Sequence, residues 1–509
     1  MRQFYGIIFA CSIITFLGSG AANAVAATPP PKPTPAPAFS YGGFVRGYYF
    51  TRQNASGAPQ TFKAINQATF NTAISLHAQY TFPDSPITVG GTYLYANPLN
   101  GCNSPVSHLS LPCGKETFTG QSTVPTNPDD TLPGFVLSTL YEAYIQYKGP
   151  ALYVKVGDQV ITTPWANPSD SRLKPVAFEG GDLTYKFNKS WTGEVAYMDR
   201  FESRASSAFD NATLLTSHPV DAPGVAANIF TPGGSSITTS GFGYARLGFT
   251  GNFAANLHYY AFMNIANALW ADAKYAWGKS FSKPFIAMQI GSEQNAGSAV
   301  IGKISSTVFG IQAGISPWKN VDFTLGYNVI PERSDTLMLP AGVSCSSSKH
   351  QISTASGVTF PYFLPSGGTA NCIPNSDGTT TVYYGGWASP YTDSYATDVL
   401  FTTSISQGLI DRRSPGQGVK LAVTLQTADH RGRFIASRAL YSYGNNTTGT
   451  QPTQETNLDG TWFFRKPGTG PYHGFLLRHR YAERTQNNTL IFGGTPLFKY
   501  NRTQLEFDF

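Results

Sequence analysis

The sequence predicts an all-β chain, a transmembrane antiparallel β-barrel with 18 strands expected in a range of 16 to 18. Three observations carry this. Stretches of about ten residues alternate apolar with polar or small from residue 39 to the last residue, with no helical block between them. Their connections alternate between short turns and long polar loops, and the chain ends on Phe509, which closes an amphipathic strand. A soluble sandwich shares the alternation, but alternating short turns and long loops are what a barrel in an outer membrane requires.

The elements follow in chain order. Residues 1–24 read as a secretory signal peptide: Arg2 gives a positive start, Tyr5 to Leu17 is almost unbroken apolar sequence, and Ala22-Asn23-Ala24 is a small-x-small cleavage site. Residues 25–38 include TPPPKPTPAPA, a proline-rich extended tether, and the barrel is expected over 39–509. No later apolar run reaches the ~18 residues of a membrane-spanning helix, so an exported chain with this pattern crosses a bilayer by strands.

The period of two is clearest in four places. Val321, Phe323, Leu325, Tyr327 and Val329 share one face, against Asp322, Thr324, Gly326 and Asn328. Val419 to Leu425, Phe309 to Ile315 and Thr503 to Phe509 repeat the pattern. Aromatic clusters at strand ends, Tyr48, Tyr49 and Phe50 or Tyr259 and Tyr260, suit interfacial girdles.

Composition agrees with this class. Charged residues make up 13%, about half the usual globular share, while aromatics reach 14%. A formal charge of +6 on so long a chain is too dilute for nucleic-acid binding, so electrostatic function must come from local clusters. Beyond Cys11, the cysteines fall as two close pairs in loop sequence, and the pairing expected in an exported chain is Cys102–Cys113 with Cys345–Cys372. No CxxC is present and His350 stands alone, so no metal is expected. GxSxG, HExxH and phosphate-cradling glycine loops are also missing, so neither an enzyme nor a cofactor is expected.

One segment exceeds any hairpin. GDQVITTPWANPSDSRLKPVAFEGG, residues 157–181, starts as a strand and then spends about twenty residues on prolines and charges of both signs. With FVRGYYFTR (44–52), YMDRFESRASSAF (197–209), YYAFMNIANALWADAKY (259–275), LFTTSISQGLIDRRSPGQGVKLA (400–422) and LLRHRYAERT near the end, it resembles, in order, the OprD-type outer-membrane porins.

That resemblance implies passive, partly selective uptake of small solutes, carboxylate-bearing ones such as amino acids or organic acids among them. It also implies outer-membrane lipid as surroundings, a monomer or loose homotrimer, and a lumen narrowed by the third and seventh extracellular loops folding inward. A nonselective general-diffusion porin is the alternative, and an outer-membrane enzyme or receptor barrel stands behind it. Carried onto this chain, the pore constriction comprises Asp170, Arg172, Lys174 and Glu179 from the opening segment, with Asp393, Ser394 and Tyr395 from the seventh loop. Arg172 reaches the eyelet or pairs with Asp170 to hold the loop.

A lumenal basic track is expected by strand parity. Arg478 and Arg480 lie opposite Leu477 and Tyr481, and an arginine facing lipid at mid-bilayer costs about 2–4 kcal/mol. Lys155, Arg246, Lys274, Lys420 and Arg502 fall on polar faces by the same rule, and Arg431 and Arg433, which share a parity with each other, complete the expected track. Arg438 has the opposite parity to that last pair, which a bulge or an interfacial position would reconcile. Arg412 and Arg413 are expected at a turn on the periplasmic rim.

Overall fold

In the computed structural model, the residues described are 38–54, 67–99, 136–169, 173–204, 206–215, 239–251, 253–278, 282–347, 351–354, 362, 371–392, 397–445, 449–465, 474–486 and 495–509. Eighteen strands form one sheet that closes on itself. They are β1 (Phe39–Asn54), β2 (Gln67–Thr81), β3 (Ile87–Pro98), β4 (Leu137–Lys148), β5 (Leu152–Gln159), β6 (Ala177–Lys186) and β7 (Trp191–Glu202). Next come β8 (Phe242–Phe249), β9 (Phe253–Phe262), β10 (Ala266–Ala276), β11 (Phe285–Asn295), β12 (Ser305–Trp318) and β13 (Val321–Ile330). The wall resumes with β19 (Gly416–Gln426), β20 (Gly432–Asn445), β21 (Gly449–Phe463), β22 (Gly474–Gln486) and β23 (Thr495–Asp508).

Each strand pairs antiparallel with its chain neighbour, and β1 pairs with β23 from Phe44↔Asp508 to Asn54↔Phe498. Closure matters in lipid, where an open sheet edge would leave backbone N–H and C=O groups without water or partner. Short turns such as 149–151, 187–190 and 319–320 join the strands at one end. The other end carries the described parts of 160–176, 203–241 and 331–415, with one brief connection, 263–265. In this architecture the short-turn end is periplasmic and the long-loop end extracellular.

Alternation assigns the two faces. Leu257, Leu269, Met288, Ile311, Leu325, Leu421 and Leu505 are exposed on the outside. Tyr48, Phe178, Tyr260, Trp270 and Ala439 are buried inside. Outward aromatics gather at the periplasmic end in pairs such as Tyr80–Phe82, Tyr185–Phe187 and Trp191–Phe249. The adjacent aromatics of the sequence divide between faces rather than forming girdles together. Tyr49 and Tyr259 point out, while Tyr48, Phe50 and Tyr260 are fully buried on the inside.

Between β13 and β19 the chain builds a second, five-stranded sheet from β14 (Arg333–Leu337), β15 (Val343–Ser346), β16 (Gln351–Thr354), β17 (Asn371–Pro374) and β18 (Thr380–Tyr384). Its small core contains Ile352, Cys372, Val382 and Tyr384, and a disulfide joins Cys345 to Cys372. Cys102 and Cys113 lie outside the described residues, as do 1–37, where the signal peptide and nearly all of the tether were placed.

This sheet is fastened to the β11–β12 connection through Asp335. Its carboxylate accepts from Lys303, from Tyr362 Oη at 2.9 Å and from Tyr384 Oη at 3.2 Å. The hydrogen bond from Lys303, helped by the two hydroxyls, holds the Asp335 carboxyl below its usual range, and the same bond raises Lys303. A depressed carboxyl contributes stability above its unfolded value near pH 4, and that contribution is lost as pH falls through the folded value. The protection of the β14 and β18 amides, their exchange rate relative to the intrinsic rate at each pH, should therefore be flat from neutrality to about pH 4 and fall below it. The Asp335→Asn variant should show no such acid-linked step.

Candidate functional site: the lumen and its two inward loops

Two connections turn back into the barrel. The first, 160–176, carries Trp165, fully buried and packed edge-on against Trp270 of the β10 inner face at 5.1 Å between ring centroids. Trp387 of the second, 385–415, completes the cluster at 5.1 Å from Trp165. Ala166 and Tyr391 join the loops in a parallel bridge, and Asn167 Nδ2 donates to the Thr397 carbonyl at 3.2 Å. Tyr391 packs among Phe178, Phe201, Phe242 and Phe262, all from the inner wall, with Phe242 at 4.8 Å.

The second loop spans the lumen. On one wall the Ala388 N–H donates to Glu293 at 2.7 Å and Gln289 Nε2 to the Val399 carbonyl. On the other, the Ser406 N–H and hydroxyl donate to Glu455 at 2.9 and 2.7 Å, and the Ile405 N–H to Asn457 at 3.3 Å. Lys420 and Tyr441 donate to the Thr403 and Thr402 carbonyls, and the Thr402 N–H donates to Asn328 at 3.1 Å. A loop without regular structure satisfies its backbone here with wall side chains, which is why buried Glu, Asn and Thr line this part of the barrel.

The first loop is held on its far side by charge. Lys174 is fully buried, 3.0 Å from the equally buried Glu202 and donating to the Ser203 carbonyl. Arg46 of β1 donates to the Leu173 carbonyl at 3.3 Å and is paired with Glu506 of β23. From there a basic row continues along the inner wall. Arg502 lies across from Arg480 in register and stacks over Tyr48 at 4.7 Å. Arg480 Nε reaches Asp459 at 2.9 Å, and Arg478 grips the same carboxylate through two nitrogens at 2.9 and 2.7 Å. In these pairs the guanidiniums of Arg46, Arg478 and Arg480 are spaced by Glu506 and Asp459. Across the lumen a cavity of about 580 Å³ is lined by Arg246, His258, Asp272, Asn256, Tyr244 and residues of both loops.

No family model matches the sequence, and no curated protein does. Solved structures do match. The BenF-like porin of Pseudomonas fluorescens Pf-5 superposes with a TM-score of 0.63 at 11% identity, covering 92% of this chain and 98% of that one. OccAB4 of Acinetobacter baumannii gives 0.61 at 13% identity over 92% and 98%. OpdK of Pseudomonas aeruginosa, in a structure with vanillate, gives 0.58 at 12% identity over the same shares. The chain has the OprD-type porin fold.

Within the OprD-type barrel, Arg478, Arg480 and Arg502 lie together on one inner wall. Lys155 and Arg246 also face inward but stand elsewhere, Lys155 with Glu142 at 3.3 Å and Arg246 with Glu194 at 3.1 Å. Lys274 and Arg433 point inward near the periplasmic mouth, Lys274 against the Phe285 ring. Lys420 faces inward, but the second loop covers it, so it is a tie for that loop rather than an open lumenal charge. Three assignments are corrected. Arg431 belongs to the periplasmic turn 427–431, paired with Asp429 at 2.6 Å, because β20 begins only at Gly432. Glu179 is already two residues into β6, on the outward face shared with Leu183 and Tyr185, where it pairs with Arg200 at 3.2 Å. Lys174 is closed off from the lumen by burial and acts as an anchor.

Arg412 and Arg413 also move: they end a helical turn, α1 (Leu409–Arg412), at the extracellular end rather than on the periplasmic rim. Asp170, Arg172, Asp393, Ser394 and Tyr395 lie outside the described residues. Arg46 was missed although its motif was quoted, because Phe44, Tyr48, Tyr49 and Phe50 make both faces of that strand aromatic. His258, with Tyr244 at 3.0 Å and Asp272 at 3.2 Å, was missed for want of a local motif.

Removing one partner of a buried pair leaves an uncompensated charge at a cost of about 3–5 kcal/mol, more than a loop of this kind is expected to absorb. Lys174→Ala should therefore release the first loop and raise single-channel conductance. Replacing both partners, Lys174→Met with Glu202→Leu, should return conductance toward the wild-type value. An unchanged conductance in Lys174→Ala would show that the loop is held without this pair.

Proposed function

We propose that the protein is an outer-membrane porin through which small solutes diffuse passively, with preference for those bearing a carboxylate. The observation that carries this reading is the inward row of Arg46, Arg502, Arg480 and Arg478 on adjacent strands β1, β23 and β22, beside a lumen narrowed by two clasped loops. Guanidiniums arranged along a low-dielectric wall concentrate anions locally and match a carboxylate with paired N–H donors. Intervening carboxylates, Asp459 and Glu506, orient the arginines and keep the attraction shallow enough for release.

The loops supply the steric half of the selection. A barrel of this strand number keeps an aqueous channel unless something folds into it, and here two loops meet across it. A solute would pass from the narrowing to the row of arginines and on to the periplasmic mouth, exchanging water for side-chain donors. No covalent step is needed for such passage. Vanillate, which accompanies OpdK, is itself a small aromatic carboxylate, consistent with this solute class.

Arg478→Ala combined with Arg480→Ala leaves Asp459 without the two cations that hold it and reverses the local charge. In liposome swelling or bilayer flux assays, carboxylate-bearing solutes should slow by roughly tenfold while neutral solutes of equal size change little. Equal losses for both classes would eliminate a guiding role for this row. Asp459→Asn provides the opposite arm and should slow anion release without reducing anion entry.

A further inference from the structure

The outer face of the barrel is not uniform. On β8 to β13 every outward residue is uncharged, Leu257, Leu269, Ile290, Ile311 and Leu325 among them. On β20 to β23 the exposed Phe434, Leu458, Leu477 and Leu505 fix the outward parity. By that parity Arg438, Thr456, Tyr481, Glu483, Lys499 and Asn501 also face outward. Neither pairing of β20 carries a bulge, so Arg438 keeps that orientation.

Height decides what these residues meet. Glu483 stands eight residues beyond the outward Phe475, ~26 Å along β22, which the usual tilt of such strands turns into roughly 20 Å of height. Lys499 lies beside it in register. The apolar band of an outer-membrane barrel is about 25 Å tall, so this pair sits near its upper boundary, toward the long-loop end. Arg438 starts lower, but it donates to Thr456 at 3.3 Å and to Gln454, which lies two residues nearer the long-loop end of β21. Its guanidinium therefore reaches up to the same boundary. An interfacial position, not a bulge, reconciles its parity with the rest of the strand.

We propose that this face binds one phosphorylated glycolipid of the outer leaflet at a defined site. Arg438 and Lys499 meet its sugar phosphates, Glu483 and Asn501 its sugar hydroxyls, and Leu458, Leu477 and Leu505 lie below along its acyl chains. Charge selects this wall over its counterpart. Here Arg438 and Lys499 outnumber Glu483, which also accepts the Tyr481 hydroxyl, whereas Arg200, the outward cation of β7, pairs with Glu179 at 3.2 Å and lies 4.0 Å from Asp199. A glycerophospholipid satisfies the two cations but brings fewer hydroxyls to Glu483 and Asn501. The site depends on the outer-membrane setting of the barrel and not on which solute the lumen passes.

Native mass measurement on the detergent-extracted protein, titrated with a bisphosphorylated, multiply acylated glucosamine disaccharide (lipid A), tests the site. Wild type should retain one such lipid per chain, and Arg438→Ala with Lys499→Ala should bind it roughly tenfold more weakly. Arg200→Ala, on the other wall, should bind as wild type does. On the wild-type protein, dephosphorylated lipid A and phosphatidylglycerol should each bind more weakly than the bisphosphorylated form, and excess inorganic phosphate should not displace it. Heat-dependent gel mobility, the mark of an intact barrel, should be the same in every variant. Equal binding by wild type and the double variant, equal binding of the dephosphorylated lipid, or an acidic protein held at the patch in place of lipid would overturn the assignment.

Discussion

Everything in this molecule depends on the closure of the sheet. A chain that crosses lipid as strands has to pair every backbone N–H and C=O within itself, and the β1–β23 pairing removes the last edge. Closure then makes the period of two absolute. Each side chain faces either the lumen or the outside, and a slip of one residue would exchange the two sets. The apolar band and the inward arginines both follow from that one binary choice, repeated around the wall.

Closure also creates the problem that the loops solve. Eighteen strands enclose more space than their own side chains fill, so the wall alone would leave a wide aqueous hole. Two connections fold back into that space, and their irregular backbones need partners that a sheet cannot offer. Glu293, Asn328, Glu455 and Asn457, all buried, are those partners. Polar residues on the inner wall therefore have two separate tasks, some holding the loops and others facing the passage.

Much of this was legible in the sequence where one face was plainly apolar. Val321 to Val329 and Thr503 to Phe509 fall on the faces that their alternation indicates, and Arg478 with Arg480 follows from the same rule. Legibility failed for three physical reasons. Strand ends do not announce themselves, so Arg431 was read into a strand and Glu179 into a loop. Burial by distant partners leaves no local trace, so the pairing of Lys174 with Glu202 turned an expected lumenal charge into an anchor. Strands of four or five residues are too short to show a period, and Cys345 and Cys372, which lie in the sheet β14 to β18, were read as loop residues.

The second inward loop acts as a tie-rod. It is bonded to β11 through Gln289 and Glu293 and to β21 through Glu455 and Asn457, so it fixes the distance between two remote parts of the wall. A barrel braced in this way cannot flatten or become rounder without pulling on the same segment that narrows its passage. Aperture and cross-sectional shape are thus one mechanical variable, and lateral pressure on the wall is felt at the narrowest point of the lumen.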